Sequence, residues 1–216
     1  MPTHKVLWMR FVLFALASMS FACLLGQFYG LWSMRAFACV ALLPCTLALI
    51  GIAAFARPTD KVLWDARTRI IEGAMGGFVA AVAYDLFRLP FVLNGYPLFK
   101  VFPEFGKMLL GANGPEWAVQ ALGWAYHFSN GMALGIMFLA FLPDARPPRK
   151  VLWSAVGWAL CVEAILLLTP YRNFFKIGMP FATFLVLTLS AHVIFGLTLG
   201  AWCGKRFHVL PSRSST

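Results

Sequence analysis

The chain has 216 residues and a formal charge of +10, and 61% of it is hydrophobic against only 12% charged; its mean hydropathy is +0.77. That balance excludes an ordinary water-soluble domain, which is about half apolar and a quarter charged. It also excludes a nucleic-acid binder, because the basic residues punctuate apolar runs instead of forming one stripe interleaved with aromatics.

A bilayer core about 30 Å thick takes roughly 20 apolar residues as a helix. Six runs meet that need, at 9–32, 35–56, 70–93, 116–142, 151–171 and 182–204. The first resembles a signal peptide in outline, with a basic start at Met1–Arg10. Its apolar run, however, continues to Trp32, and Ser20-Phe21-Ala22-Cys23 is a poor lipobox, so an uncleaved helix is expected. Turn formers separate the runs: Arg57-Pro58-Thr59-Asp60, Asn94-Gly95-Tyr96-Pro97, Pro143-Asp144 to Pro147-Pro148, and Gly178-Met179-Pro180. Lys61–Arg69 is expected to lie along the membrane interface ahead of the third run. The long connection Asn94–Pro115 carries Tyr96, Phe99, Phe102 and Phe105, which read as a headgroup anchor, with a lid or a re-entrant segment over the bundle as the alternative. Cys23, Cys39, Cys45, Cys161 and Cys203 are scattered through apolar runs and read as small buried hydrophobes.

Basic residues resist translocation, so their distribution sets orientation. Alternate connections hold Lys5, Arg10, Arg57, Lys61, Arg67, Arg69, Arg146, Arg149, Lys150, Lys205, Arg206 and Arg213 on one side, against Arg35, Lys100, Lys107, Arg172 and Lys176 on the other. This predicts an inner (plasma) membrane protein with both termini cytoplasmic. Lys-Val-Leu-Trp recurs at 5–8, 61–64 and 150–153, each time before an odd-numbered run, as a snorkelling Lys with a headgroup-level Trp would require.

The fourth and sixth runs share a pattern. His127, Gly131 and Gly135 match His192, Gly196 and Gly200 at four-residue spacing, with Gly123 and Gly204 extending the two stripes. Such residues share one helix face, and small residues on it let backbones approach closely in lipid. The two stripes are expected to pack on each other. Each of these runs follows one that carries a carboxylate, Asp85 or Glu163. The predicted fold is therefore all-α and polytopic. Residues 1–57 form a two-helix hairpin, and 58–216 form a four-helix core of two parallel pseudo-repeated hairpins, at 70–142 and 151–204.

Ionisable groups in hydrocarbon are costly and mark functional sites. Asp85, Arg88, His127, Asn130, Glu163 and His192 fall in one layer of the outer half and form the candidate ligand-binding or proton-relaying site, with Tyr84, Tyr126, Ser129 and Tyr171 within reach. Asp85, His127, Glu163 and His192 also make a candidate metal set, though the Glu-x-x-His spacing of di-metal bundles is missing; haem between two histidines ranks behind a metal ion. The bland reading pairs Asp85 with Arg88 and Glu163 with a histidine, purely to fasten helices. Three functions follow: a cation-binding or proton-relaying, transport-like protein; a structural or assembly subunit of a membrane complex; and a membrane metalloenzyme acting on a lipid or quinone. Expected partners are the lipid bilayer and a membrane protein or second copy of this chain.

Overall fold

The computed structural model describes residues 4–111, 113–143 and 146–208, so Asp144 in the third turn region and Arg213 near the C-terminus lie outside the described residues. The protein is all-helical, with no strand among the described residues. In chain order the helices are α1 (His4–Phe28), α2 (Met34–Phe55), α3 (Lys61–Leu93), α4 (Val101–Leu110), α5 (Glu116–Phe141), α6 (Pro148–Leu167), the single turn α7 (Tyr171–Phe174) and α8 (Phe181–His208). A π-helical segment at Ala38–Leu42 interrupts the regular hydrogen bonding of α2.

Five of these helices, α1, α2, α3, α6 and α8, are long and apolar enough to cross a membrane. The expected sixth span, α5, is long enough at 26 residues. It falls short in hydropathy because His127, Ser129 and Asn130 sit in its middle. Its second half from Gly131 to Ala140 is nearly all buried, and α5 packs against α1, α3 and α4.

Lys61–Arg69 departs from expectation. It is the first part of a continuous 33-residue helix, not an interfacial segment set apart from the span. Asp60 explains the start: its carboxylate accepts from the backbone N–H of Val62 and Leu63 at 2.9 and 3.1 Å, capping the helix where free N–H groups would otherwise be left. Two basic residues assigned to that side are not surface charges. Arg69 is fully buried and donates to the carbonyls of Leu139 and Leu142 at the C-terminal end of α5, at 2.5 and 3.0 Å, and to Asp65 at 3.0 Å. Asp65 also takes Arg10 of α1 at 3.2 Å. One carboxylate and two arginines thus tie α1, α3 and α5 together. Trp8, Trp64 and Trp153, by contrast, stay exposed within the first two turns of α1, α3 and α6.

The glycine stripes do not pack on each other. Each packs against the carboxylate-bearing helix of its own hairpin. A Cβ on Gly135 would strike the Gly73 carbonyl and lie 2.9 Å from Gly77 Cα, and one on Gly131 would lie 2.8 Å from Ala81 Cβ. In the second hairpin a Cβ on Gly196 would lie 2.6 Å from Val156 Cα and one on Gly200 2.7 Å from Leu152 Cα. Helix pairs close most tightly where the facing residues are small, as Gly73, Gly77 and Ala81 are opposite the first stripe, while the second stripe meets the backbone of Leu152 and Val156 beside Ala155. Gly123 instead meets the Phe102 carbonyl of α4, and Gly204 has ordinary clearance, 3.4 Å, from Pro148.

The aromatic connection resolves as the lid. Phe102 and Phe105 of α4 are buried against α5, with only Tyr96 notably exposed, so the headgroup-anchor reading fails for the two phenylalanines. The close fit again needs glycine, since a Cβ on Gly106 would strike the Val119 carbonyl. Gly95 and Gly111 flank the lid at φ 89° and 107°, conformations that glycine adopts without strain.

A candidate intramembrane polar site

Because each stripe seats its helix on the preceding carboxylate-bearing span, the histidine one turn before each stripe faces that span's carboxylate. His127 Nε2 lies 2.7 Å from Asp85 Oδ2, and His192 Nδ1 lies 3.1 Å from Glu163 Oε2. His192 Nδ1 also lies 2.9 Å from the Thr188 carbonyl, so its N–H is shared between two acceptors. Both carboxylates are buried.

Arg88 completes the first pair. Its Nη1 donates to Asp85 Oδ1 at 3.4 Å and its Nη2 to the Leu98 carbonyl at the entrance to the lid. The guanidinium lies 4.9 Å from the Tyr84 ring centroid, 5.2 Å from that of Phe99 and 5.7 Å from that of Phe102. Aromatic faces stabilise a cation at such distances. Lid, carboxylate and imidazole therefore meet at one arginine.

Tyr84 stands between the two halves. Its ring centroid is 6.3 Å from that of His127 and 5.1 Å from that of His192. The two imidazoles and Tyr84 line a cavity of about 90 Å³, together with Arg88, Asn130 and Tyr171, under an apolar wall of Phe21, Phe102, Phe105 and Leu134. A second cavity of about 50 Å³ shares Tyr84, Arg88, Tyr171 and His192 and adds Glu163, Arg172 and Thr188. A water needs about 10–15 Å³ of such space and two or more polar partners, so both cavities have room for water. Among the described residues, Arg88 Nε, Asn130 Oδ1, Glu163 Oε1 and Arg172 Nε are buried polar atoms with no hydrogen-bond partner.

All six sequence-predicted site residues converge on this region, but the metal reading does not hold. No group of three or more His, Cys, Asp or Glu able to hold a metal ion occurs among the described residues. Each imidazole takes one carboxylate, and the Tyr84 ring stands against both imidazoles. Tyr126 is outside the site as well, since its hydroxyl donates to the Ser20 carbonyl of α1 at 2.7 Å. Ser129 turns back to its own helix at the Tyr126 carbonyl. Sequence reasoning missed Arg172 and the lid phenylalanines. The only signal for Arg172 was a basic residue on the sparsely charged side, and for the lid a short amphipathic stretch between turn formers.

The chain belongs to a family of unknown function, DUF6789, whose model matches residues 67–212. The match begins near the start of α3 and so takes in every residue of the polar site while leaving out α1 and α2. No curated protein and no solved structure matches the chain.

Proposed function

We propose that this is an inner (plasma) membrane protein, with both termini cytoplasmic, that relays protons within its outer half through the pairs Asp85–His127 and Glu163–His192. The single observation that carries this reading is the shared cavity, which both imidazoles line, with Tyr84 in ring contact with each. A carboxylate–imidazole pair passes a proton between its members with little movement of charge, and water in the cavity extends the path between pairs. The apolar, tightly packed half of α5 beyond Gly131 favours exchange with a guest entering from one side over conduction straight through. Orientation rests on the excess of basic residues around the ends of α1, α3, α6 and α8.

The test uses the full chain in nanodiscs with 15N-labelled histidine. The sequence has only 4 histidines, so the resonances separate readily. Groups that share protons titrate as a coupled set, not singly. Asp85→Asn is expected to move the titration of His192, in the other hairpin, as well as that of His127. An unchanged His192 titration refutes the relay.

A second reading, a subunit of a larger membrane complex, draws on α2, whose most apolar window is only 6% buried. Val40, Leu43, Leu47 and Ile50 face outward along it. Stable co-purification of one membrane partner, lost on deleting residues 34–55, is the result that reading requires.

A further inference from the structure

We propose that the cavity beneath α4 binds a small organic carboxylate together with one proton, with Arg88 as the anchoring cation and Asp85 as the proton acceptor. This rests on the relay reading in one respect only, the use of His127 to bring the proton to Asp85.

Arg88 is 5% exposed and lines both cavities, and its Nε–H has no partner among the described residues. A buried guanidinium N–H with no acceptor carries the full cost of its lost hydration, and an oxygen placed at that position removes it. Asn130 faces the same cavity with its amide oxygen unpartnered. Turning that amide over presents its NH2 to a second guest oxygen, an orientation that a hydrogen-bond network decides. A planar two-oxygen group held between a guanidinium and an amide is the geometry of carboxylate recognition.

Charge then sets the stoichiometry. Around the cavities α3 contributes Tyr84 and Arg88, α5 contributes His127, and α6 and α8 contribute the Glu163–His192 pair; Asp85 stands behind this lining, in contact with both Arg88 and His127. The segment after α6 adds Tyr171 and Arg172, the latter already donating to the Met179 carbonyl at 2.5 Å. From α1 and α4 only apolar side chains line the larger cavity, and the Glu104–Lys107 pair of α4 is closed on itself at 2.8 Å. Asp85 therefore already serves as the counterion of Arg88. A second anion beside an ionised Asp85 would be uncompensated in a low-dielectric interior, which costs several kcal/mol. If a proton from solvent bonds to an Asp85 oxygen, Arg88 is left with unbalanced charge, and the guest carboxylate replaces Asp85 as its partner. Anion and proton bind together, and the site stays neutral.

Volume sets the size of the guest. The cavity of about 90 Å³ lies below the roughly 150 Å³ of a cavity that accepts benzene. Acetate or propionate fits, with its alkyl end against Phe102, Phe105 and Leu134, and an aromatic acid does not.

The test is calorimetric titration of the full chain in nanodiscs with acetate, in two buffers of different ionisation enthalpy. Expected are saturable binding, uptake of about one proton per acetate, and affinity falling about tenfold per pH unit as pH rises. Benzoate and chloride should not compete. In Arg88→Met acetate binding is lost, whereas Asp85→Asn still binds acetate with neither proton uptake nor pH dependence. Absence of saturable binding, binding with no proton uptake, or equal competition by chloride or benzoate overturns the proposal, and the wild-type proton count decides even if a variant fails to fold. The histidine titrations above need no acetate, so failure of the relay and failure of the carboxylate site are read separately.

Discussion

Gly135→Ala adds one methyl group at the closest approach of α3 and α5. The new Cβ would strike the Gly73 carbonyl and sit 2.9 Å from Gly77 Cα and Gly77 N. All three atoms are backbone, so no side chain can swing aside, and restoring ordinary contact of about 3.5–4 Å requires the helices to part by roughly 1 Å. Overpacking of this kind costs about 1–3 kcal/mol. It also stretches the 2.7 Å bond between Asp85 and His127 two turns away, because both lie on the same pair of helices. Gly157→Ala is the control, since nothing lies within 4 Å of a Cβ there. Replacing a helical glycine by alanine without a clash gains about 0.5–1 kcal/mol. Equilibrium unfolding in mixed micelles should therefore place the two variants on opposite sides of wild type, about 1.5–4 kcal/mol apart on the sum of these figures. Equal stability of the two variants would refute the claim that glycine spacing sets the α3–α5 distance and, through it, the site.

Arg69→Met should destabilise the protein by about 3–5 kcal/mol, the cost of removing one partner from a buried ionic network, and a thermal scan showing a change under about 1 kcal/mol would count against that role. Trp202→Phe removes a 3.1 Å hydrogen bond from Trp202 Nε1 to Glu72, and should cost about 1 kcal/mol in the same measurement without affecting histidine titrations at the other end of the bundle. Gly123→Val should lift α4, because its side chain would enter the Phe102 carbonyl; a cysteine placed at the buried Leu98 in a cysteine-free background should then react with a soluble maleimide, and unchanged protection would show that α4 is not seated through that glycine.

The spanning helices were legible because lipid imposes a length and a hydropathy that a run of residues either meets or does not. α5 shows the limit of that signal: the polar residues it brings to the candidate site also dilute its apolar character, and the burial that tolerates them is a tertiary fact. The His-Gly-Gly spacing correctly placed each histidine and its glycines on one face, but a face does not name its partner. Gly73, Gly77 and Ala81, which recur every four residues on α3, carried the missing information, and matching stripe to stripe by resemblance instead of small face to small face produced the wrong pairing. The lid was open to two readings because Phe102 and Phe105 suit a headgroup layer or a cavity roof equally, and their burial against α5, with the close fit at Gly106 and Gly123, decides between them.

The internal repeat explains half of the site, and the departure from the repeat explains the other half. Both hairpins place a carboxylate on the first helix and an imidazole on the second, and both keep a small residue four positions before the carboxylate, Ala81 and Ala159, each buried and each lining the larger cavity. Three positions after the carboxylate the copies differ, with Arg88 in one and Leu166 in the other, and both side chains line both cavities. Two identical pairs would give a neutral chamber able to hold water and move protons but with no fixed charge to select a guest. The single arginine removes that symmetry. It draws Asp85 into ionic as well as hydrogen-bonding duty, ties the lid through the Leu98 carbonyl, and leaves its Nε without a partner among the described residues. Arg88→Leu, which restores the symmetry, is expected to keep the fold and the Glu163–His192 pair, read from a His192 resonance that shifts less than that of His127, while abolishing acetate binding. A His192 resonance that shifts as far as that of His127 would mean that the arginine holds the two hairpins together and does not serve one of them.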